Sequence, residues 1–132
     1  MVTLLCCLGL LLGGCMLVSG GQTASDTHPT GGNLSASFVS AEGEELQTLA
    51  TGAGPTTMNV IVIMSVQQGE LRLELLDPSG SVALAVEGRP DEQITKSGNI
   101  ATDAQGNLRY RVIARGARNG GYQLLYQAAG QS

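Results

Sequence analysis

The side chains able to perform chemistry are few and unevenly placed along this chain of 132 residues. All three cysteines, Cys6, Cys7 and Cys15, fall within the first fifteen residues, and His28 is the single histidine. An enzyme needs a nucleophile beside a base, paired carboxylates, or a set of metal ligands. The sequence contains no Gly-x-Ser-x-Gly motif and no phosphate-binding loop motif. We therefore predict a non-enzymatic protein without catalytic residues.

Three of the eleven acidic residues, Glu42, Glu44 and Glu45, fall within one short stretch. Such a cluster is either part of a Ca²⁺ site or a charged strand edge whose carboxylates are solvated. A Ca²⁺ site needs six to eight convergent oxygen ligands, which favours the solvated edge. His28 lies among glycine, serine and threonine without neighbouring ligands, so we expect it to be solvated as well. We predict no metal site and no cofactor.

The net charge is −4, and all seven Lys and Arg residues lie after residue 71. The last four of them are Arg109, Arg111, Arg115 and Arg118. On a strand face they would either pair with acids such as Glu70 and Glu74, or dock an acidic partner or anionic glycan. Nucleic-acid binding requires a stronger basic stripe with stacking aromatics, and the chain has only one Phe and three Tyr. We therefore exclude a nucleic-acid partner.

Residues 2–18 are almost wholly apolar or small. A transmembrane helix needs about 20 apolar residues and flanking basic anchors, which this shorter run lacks. No polar face recurs at helical spacing, so an amphipathic core helix is not favoured either. The run has the form of a secretory leader, in which an apolar segment precedes small residues at a cleavage site. Its first three residues carry no Lys or Arg, although leaders normally do.

The small residues of this leader lie in Leu12-Gly13-Gly14-Cys15, which resembles the lipobox of bacterial lipoproteins. In that family an aliphatic residue and two small residues precede a cysteine that receives a diacylglyceryl group. The resemblance implies a signal peptide over residues 1–14 and a lipid-modified Cys15 at the mature N-terminus. Cys6 and Cys7 would leave with the leader, so acylation of Cys15 would leave no free thiol.

Lipidation predicts a location in the cell envelope, because two or more acyl chains hold a protein stably on a membrane. The expected site is the outer membrane of a Gram-negative host, or otherwise the outer face of the plasma membrane. The residue after Cys15 is Met16 rather than Asp, which favours the outer membrane in the Gram-negative case. Residues 15–33 are rich in Gly, Ser and Thr, which predicts a flexible tether to a folded domain over residues 34–128.

From residue 34 onward, short apolar runs alternate with turn residues. Leu71, Leu73 and Leu75 would share one strand face, which is typical of a strand with one wet side. Residues 60–64 are apolar on both faces and predict a strand covered on both sides. We predict strands over residues 34–40, 45–51, 58–66, 70–77, 81–87, 93–96, 98–103, 107–115 and 122–127.

Two of the predicted turns have clear signatures. Asp77-Pro78-Ser79-Gly80 has the residues of a type I turn and predicts a hairpin, and Asn119-Gly120-Gly121 predicts a second turn. Short strands with turns every 8–14 residues or so are close to the spacing of a sandwich or barrel. The predicted fold class is all-β, a small antiparallel β-sandwich of jelly-roll-like form.

The segment from Leu71 to Gly80 resembles part of the bacterial pre-peptidase C-terminal domain. That family is a β-sandwich appended to secreted proteases, with an alternating strand, an Asp-Pro-x-Gly turn and late strands that contain tyrosine. Tyr110 and Tyr122 occupy the two late places here. The resemblance covers about residues 58–126 and implies a β-sandwich that accompanies secreted enzymes.

These features predict a lipid-anchored envelope lipoprotein that serves as a non-enzymatic binding or accessory module. One alternative is a carbohydrate-binding or adhesive β-sandwich at the cell surface. A second alternative is a Ca²⁺-stabilised accessory domain of a secreted hydrolase system. The expected partners are the membrane, through the N-terminal lipid, and an envelope protein or polysaccharide.

Overall fold

A computed structural model of the protein describes residues 17–28, 31–51 and 54–128, and the predicted lipobox at residues 12–15 lies outside them. The described residues form eight strands, which confirms the predicted all-β class. The strands are β1 (Leu17–Ser19), β2 (Gln22–His28), β3 (Gly31–Ala50), β4 (Thr57–Ser65), β5 (Gln68–Leu76), β6 (Val82–Glu87), β7 (Ile94–Ala101) and β8 (Asn107–Ala128). Within these ranges, no helix is long and apolar enough to cross a membrane.

Two long strands, β3 and β8, form the centre of the fold. They pair antiparallel from Gly31 opposite Gln127 to Ala50 opposite Asn107. The register shifts once, where one residue of β3, Glu42, faces two residues of β8, Arg115 and Gly116. Gly116 has a φ of +57°, the left-handed conformation that glycine adopts without strain at a bulge. A bulge bends its strand, and on either side of this one the two halves of the β3–β8 pair join different layers.

The sheet is folded into two layers that share β3 and β8. In the first layer the order is β2, the first half of β3, the second half of β8, β4 and β7. In the second layer the order is the second half of β3, the first half of β8, β5 and β6. Strands β4 and β5 therefore lie in opposite layers, as do β6 and β7. This is the strand order of a jelly roll, and it confirms the predicted sandwich.

Apolar side chains fill the space between the layers. The largest contributions come from alternate residues of β4, β5 and β8, as the period of two in the sequence predicts. These side chains are at most 1% exposed and are Val60, Val62, Met64, Leu71, Leu73, Leu75, Leu108, Val112 and Leu124. Burial of each such side chain contributes about 1.5–3 kcal/mol to folding.

Strand β4 differs from its prediction. It is central in the hydrogen-bonding direction, with β7 on one side and β8 on the other. Only its inner face is covered, because Ile61 on the outer face is 36% exposed and Ile63 is half-buried. The prediction of a strand covered on both sides was wrong because no described element packs on the outer face of the first layer.

In three cases, two strands that were predicted separately form one continuous strand in the structure. Residues 34–40 and 45–51 belong to β3, residues 93–96 and 98–103 to β7 and its end, and residues 107–115 and 122–127 to β8. The predicted turn at Asn119-Gly120-Gly121 was wrong, since it lies inside β8. A Cβ atom on Gly121 would lie 2.3 Å from the Ala36 carbonyl oxygen, so this glycine permits close approach of β3 and β8 instead.

The segment predicted as a flexible tether also differs. β1 and β2 occupy residues 17–19 and 22–28, and β3 begins at Gly31, before the predicted domain boundary at residue 34. The described side chains from Leu17 to Thr27 are exposed, so these strands are held mainly by backbone pairing to β3. A strand that buries no side chain has no hydrophobic pattern by which the sequence reveals it.

The predicted hairpin between β5 and β6 is confirmed. The Asp77 side-chain oxygen Oδ1 accepts hydrogen bonds from the backbone N–H groups of Ser79 at 2.9 Å and Ser81 at 3.1 Å. Gly80 donates its N–H to the Asp77 carbonyl at 2.9 Å and has a φ of +90°. The Ser79 hydroxyl and these N–H donors lower the pKa of Asp77, because they stabilise the carboxylate.

Candidate functional site

The outer face of the second layer carries a line of ion pairs across four strands. Glu44 on β3 lies 3.3 Å from Nε of Arg111 on β8, and Arg111 donates to Glu74 on β5 at 3.0 Å. The second Glu74 oxygen accepts from Nε of Arg72 at 2.9 Å, and Arg72 also pairs with Glu87 on β6. Charges alternate along the line, so each arginine has an acidic neighbour. We call these five residues the ion network.

Glu74 is the central member of the ion network. Its side chain is only 10% exposed, and each of its two oxygens receives a guanidinium donor. Arg72, and then Arg111, hold the pKa of this carboxyl below its usual range by stabilising the charged form. Glu74 in turn raises the pKa of Arg72. The arrangement neutralises charge between strands and fits a structural role.

The four predicted partner-binding arginines do not form one basic patch. Arg109, Arg111 and Arg115 follow one another along the first half of β8, whereas Arg118 lies beyond the bulge, opposite Ser40 of β3. Arg111 is engaged in the ion network, as the strand-pairing interpretation predicts. Arg115 lies opposite Glu70 in the register with β5. The face is thus mixed in charge, and docking of an acidic partner on these residues stays a prediction.

The three clustered acids have separate surroundings. The Glu42 carboxylate accepts a hydrogen bond from the N–H of Gly116 at the bulge, and Glu44 pairs with Arg111. Glu45 lies on the other side of β3, close enough to Tyr110 to contribute to its raised pKa. Among the residues that the structure describes, no three His, Cys, Asp or Glu side chains converge on a site for a metal ion.

A cavity of about 510 Å³ lies beside the ion network. Its charged lining residues are Glu70, Arg72, Glu87 and Arg115. Acidic and basic groups occur in equal number, so the cavity offers no net charge to a ligand. A ligand here would also compete with the ion pair between Arg72 and Glu87.

A different groove crosses the outer face of the first layer. It has a volume of about 470 Å³, and its polar lining includes Ser35, Ser37, Ser65, Asn119 and Gln123. A neighbouring cavity of about 240 Å³ shares three residues of β3 with it and extends to Gln22, Thr23 and Ala24 of β2. No charged residue lines either cavity. We call the two together the neutral groove.

The floor of the neutral groove depends on a glycine pair in β8. A Cβ atom on Gly120 would lie 2.7 Å from the Ser65 carbonyl oxygen, and one on Gly121 would lie 2.3 Å from that of Ala36. Both distances are too short for a real contact, so the backbone passes here without side chains. Sequence reasoning missed this site because a glycine pair was interpreted as a turn. The sequence feature that could have indicated the groove is this Gly-Gly pair, because it interrupts the alternating pattern of a strand without ending the strand.

The aromatic rings pack in or against the core, and two of them, Phe38 and Tyr122, also belong to the lining of the neutral groove. Tyr110 and Tyr122 meet edge to face, with ring centroids 6.2 Å apart and planes at 70°. Burial raises the pKa of both phenols. Tyr126 and Phe38 are buried as well, and the Tyr126 hydroxyl lies 3.2 Å from that of Thr27. The neutral groove therefore offers mainly hydroxyl, amide and aliphatic groups at its surface.

No protein-family model matches the chain, and no curated protein matches it. The resemblances to the lipobox and to the pre-peptidase C-terminal domain therefore stay predictions. Solved structures with a similar arrangement include a carbohydrate-binding module of Cellvibrio mixtus lichenase 5A in complex with cellotriose. The identity is 14%, with 86% of this chain and 90% of that chain covered and a TM-score of 0.41.

Two further similar structures come from other bacteria. A family 22 carbohydrate-binding module from Clostridium thermocellum has 11% identity, covers 94% of this chain and 90% of its own, and gives a TM-score of 0.46. A xylan-binding domain from Paenibacillus barcinonensis has 8% identity to this chain. The match covers 91% of this chain and 88% of that domain and gives a TM-score of 0.47. At these values the similarity is one of general shape and assigns no role to any residue of this chain.

Proposed function

We propose that this protein is a lipid-anchored, non-enzymatic module of the bacterial cell envelope that binds a neutral polysaccharide. The observation that carries the ligand class is the neutral groove, a shallow, open depression lined by hydroxyl, amide and apolar groups and free of charged side chains. Ligand sites are concave and orient their ligands through a small number of polar groups.

The groove's polar groups match the chemistry of sugar hydroxyls. Ser35, Ser37 and Ser65 each offer one donor and two acceptor positions, and the Gln123 amide offers donors and an acceptor. Ile63 adds an aliphatic surface for the C–H face of a sugar ring. A site built from hydrogen-bonding groups favours ligands that satisfy them and rejects those that leave them unpaired.

The distribution of charge favours a neutral ligand over a charged one. Arg111 and Arg72 on the opposite layer already pair with acids in the ion network. Protein interfaces are typically enriched in aromatic residues, Met and Arg at their centre, whereas the groove is lined by the buried Phe38 and Met64, the half-buried Tyr122 and no Arg. The composition is thus closer to a saccharide site than to a protein interface.

The ligand class is tested by affinity electrophoresis of the protein in gels that contain xylan, soluble cellulose derivatives, galactan or a polyuronate. We expect retardation in at least one neutral gel. Gln123→Ala should weaken binding about fivefold, since one lost hydrogen bond is worth about 1 kcal/mol. The matched control is Gln93→Ala, an exposed glutamine outside the groove, which should bind like the parent protein.

Two outcomes of this experiment would contradict the proposed ligand. One is the absence of retardation in every neutral gel. The other is retardation only in the polyuronate gel, abolished by Arg109→Gln and unaffected by Gln123→Ala, which would move the site to the basic residues of β8.

The anchor is proposed from the motif Leu12-Gly13-Gly14-Cys15 and is tested separately. Mass spectrometry of the mature protein from a bacterial envelope should show a diacylated or triacylated N-terminal Cys15. The substitution Cys15→Ser should abolish the modification and release the protein from the membrane fraction. A mature N-terminus elsewhere, or an unmodified Cys15, would refute the anchor while leaving the polysaccharide proposal open to its own test.

A further inference from the structure

The edge strand β1 exposes apolar side chains. Leu17 is 60% exposed and Val18 is 43% exposed, and they point to opposite faces because successive strand residues do so. Val39 of β3, which is 56% exposed, lies beside the turn between β1 and β2, with its side chain against Gly20. β1 pairs only with β3 among the described strands, so its other edge is unpaired. We call Leu17, Val18 and Val39 the β1 edge.

Exposed apolar edge strands are normally shielded, because they invite pairing with other chains. The edge strand β7, at the far end of the first layer, instead presents polar residues such as Thr95, Lys96 and Ser97. Apolar side chains on β1 therefore need a covering surface, and the residues around β1 indicate which one.

A basic group accompanies the apolar residues of the β1 edge. Arg118 lines the same cavity of about 350 Å³ as Leu17 and Val18. It is exposed and forms no ion pair with any residue in the described ranges. Glu42 lines the same cavity, but its carboxylate is engaged by the N–H of Gly116. An apolar strip beside an arginine that forms no ion pair suits the boundary between acyl chains and headgroups, and Glu42 is the one acid on the same cavity.

The sequence position of the β1 edge gives the second argument. Leu17 is two residues after Cys15, and two residues span at most about 7 Å. The headgroup region on each side of a bilayer is about 5–8 Å thick. A lipid on Cys15 that enters the hydrocarbon would therefore bring Leu17 into or next to the headgroup layer, with no tether between the anchor and the first strand.

We infer that the β1 edge is a membrane-contacting surface, which seats the jelly roll directly on anionic phospholipid with β1 at the headgroup layer. This inference rests on the proposed lipid anchor at Cys15. It replaces the mobile tether of the sequence prediction with a fixed orientation.

The experiment uses the full chain expressed with its leader, purified from membranes and placed in vesicles of phosphatidylethanolamine and phosphatidylglycerol with brominated acyl chains. Val39→Cys gives a protein whose introduced thiol is labelled with a fluorophore. The matched control is Val82→Cys, a 47% exposed valine on β6. β6 lies four strand spacings from β1, through β3, β8 and β5, which is about 19 Å along the sheet.

We expect bromine to quench the fluorophore at position 39 and to leave that at position 82 unchanged. Arg118→Gln should reduce the quenching at position 39 in vesicles that contain phosphatidylglycerol. Mass spectrometry of the same samples reports acylation of Cys15. Acylated protein with equal or no quenching at the two positions would overturn the inference and leave the anchor intact, whereas unacylated protein would overturn both.

Discussion

At Glu74, one carboxylate holds two guanidinium groups that come from neighbouring strands. Glu74→Gln keeps the size of the side chain but removes its charge, so Arg72 and Arg111 would lose the carboxylate between them and keep only their exposed partners Glu87 and Glu44. We expect the free energy of unfolding to fall by about 1.5–3 kcal/mol, the usual range for a hydrogen bond to a charged group. Urea denaturation at neutral pH measures the change.

Glu87→Gln is the control for this prediction, because Glu87 is at the end of the ion network and its side chain is 68% exposed. An exposed ion pair is worth at most about 1 kcal/mol, so the control should lose less stability than Glu74→Gln. Equal losses in the two variants would show that burial of Glu74 does not matter.

Protonation of Glu74 gives a pH dependence with a definite sign. Its folded-state pKa is lowered by Arg72 and Arg111, so the stabilising contribution is complete above the unfolded-state pKa of about 4.3. The contribution is lost as the pH falls further through the folded-state pKa. Thermal denaturation between pH 7 and pH 2 should show a steeper acid decline for the parent protein than for Glu74→Gln. Parallel profiles would contradict this assignment.

At the scale of strands, two glycines with left-handed backbone conformation lie side by side where β5 pairs with β8 at the bulge. Gly116 has a φ of +57° and open space where a Cβ atom would lie, whereas Gly69 has a φ of +82° and a Cβ position 2.1 Å from the Gly116 carbonyl oxygen. Gly116→Ala should therefore cost about 1–2 kcal/mol from backbone strain alone. Gly69→Ala should cost more, because the strand must also move.

Equilibrium unfolding of the two alanine variants compares these costs, with Gly54→Ala as the control. Gly54 has no positive φ and no atom within 4 Å of its Cβ position, so its substitution should be nearly neutral. A Gly69→Ala variant as stable as Gly116→Ala would mean that β5 does not approach the bulge closely.

The strands differ in how far the sequence predicts them. β5 alternates Leu71, Arg72 and Leu73 between core and solvent, and its turn residue Asp77 forms the expected hydrogen bonds, so local pattern was sufficient. β8 was predicted as two strands, because its bulge and glycine pair interrupt the pattern without ending the backbone pairing. β1 and β2 could not be predicted from burial, because backbone pairing to β3 is what holds them.

At the scale of the whole molecule, the neutral groove arises from strands far apart in the sequence. Ser35, Ser65 and Gln123 come from β3, β4 and β8, and each is an ordinary polar residue in its own strand. The jelly-roll order alone brings them together, so sequence reasoning identified the local acid and arginine groups and missed the groove. The ion pair of Arg111 with Glu74 was predictable, because both are outward residues of long alternating strands.

The same strand order predicts which strands keep their backbone hydrogen bonds longest during unfolding. β8 is paired on both sides for most of its length, with β3 on one side and with β5 and then β4 on the other. β6 and β7 are each paired with a single neighbour in the ladder, joined across by the Lys96 side chain, which donates to the Ala85 carbonyl at 3.2 Å. Amides of β8 should therefore exchange with deuterium only through global unfolding, whereas outward amides of β6 and β7 should exchange through local opening. Hydrogen exchange followed by mass spectrometry at increasing urea distinguishes the two, because only global opening accelerates in step with the unfolding free energy. Exchange in β8 as fast as in β6 would contradict the placement of β8 at the centre of both layers.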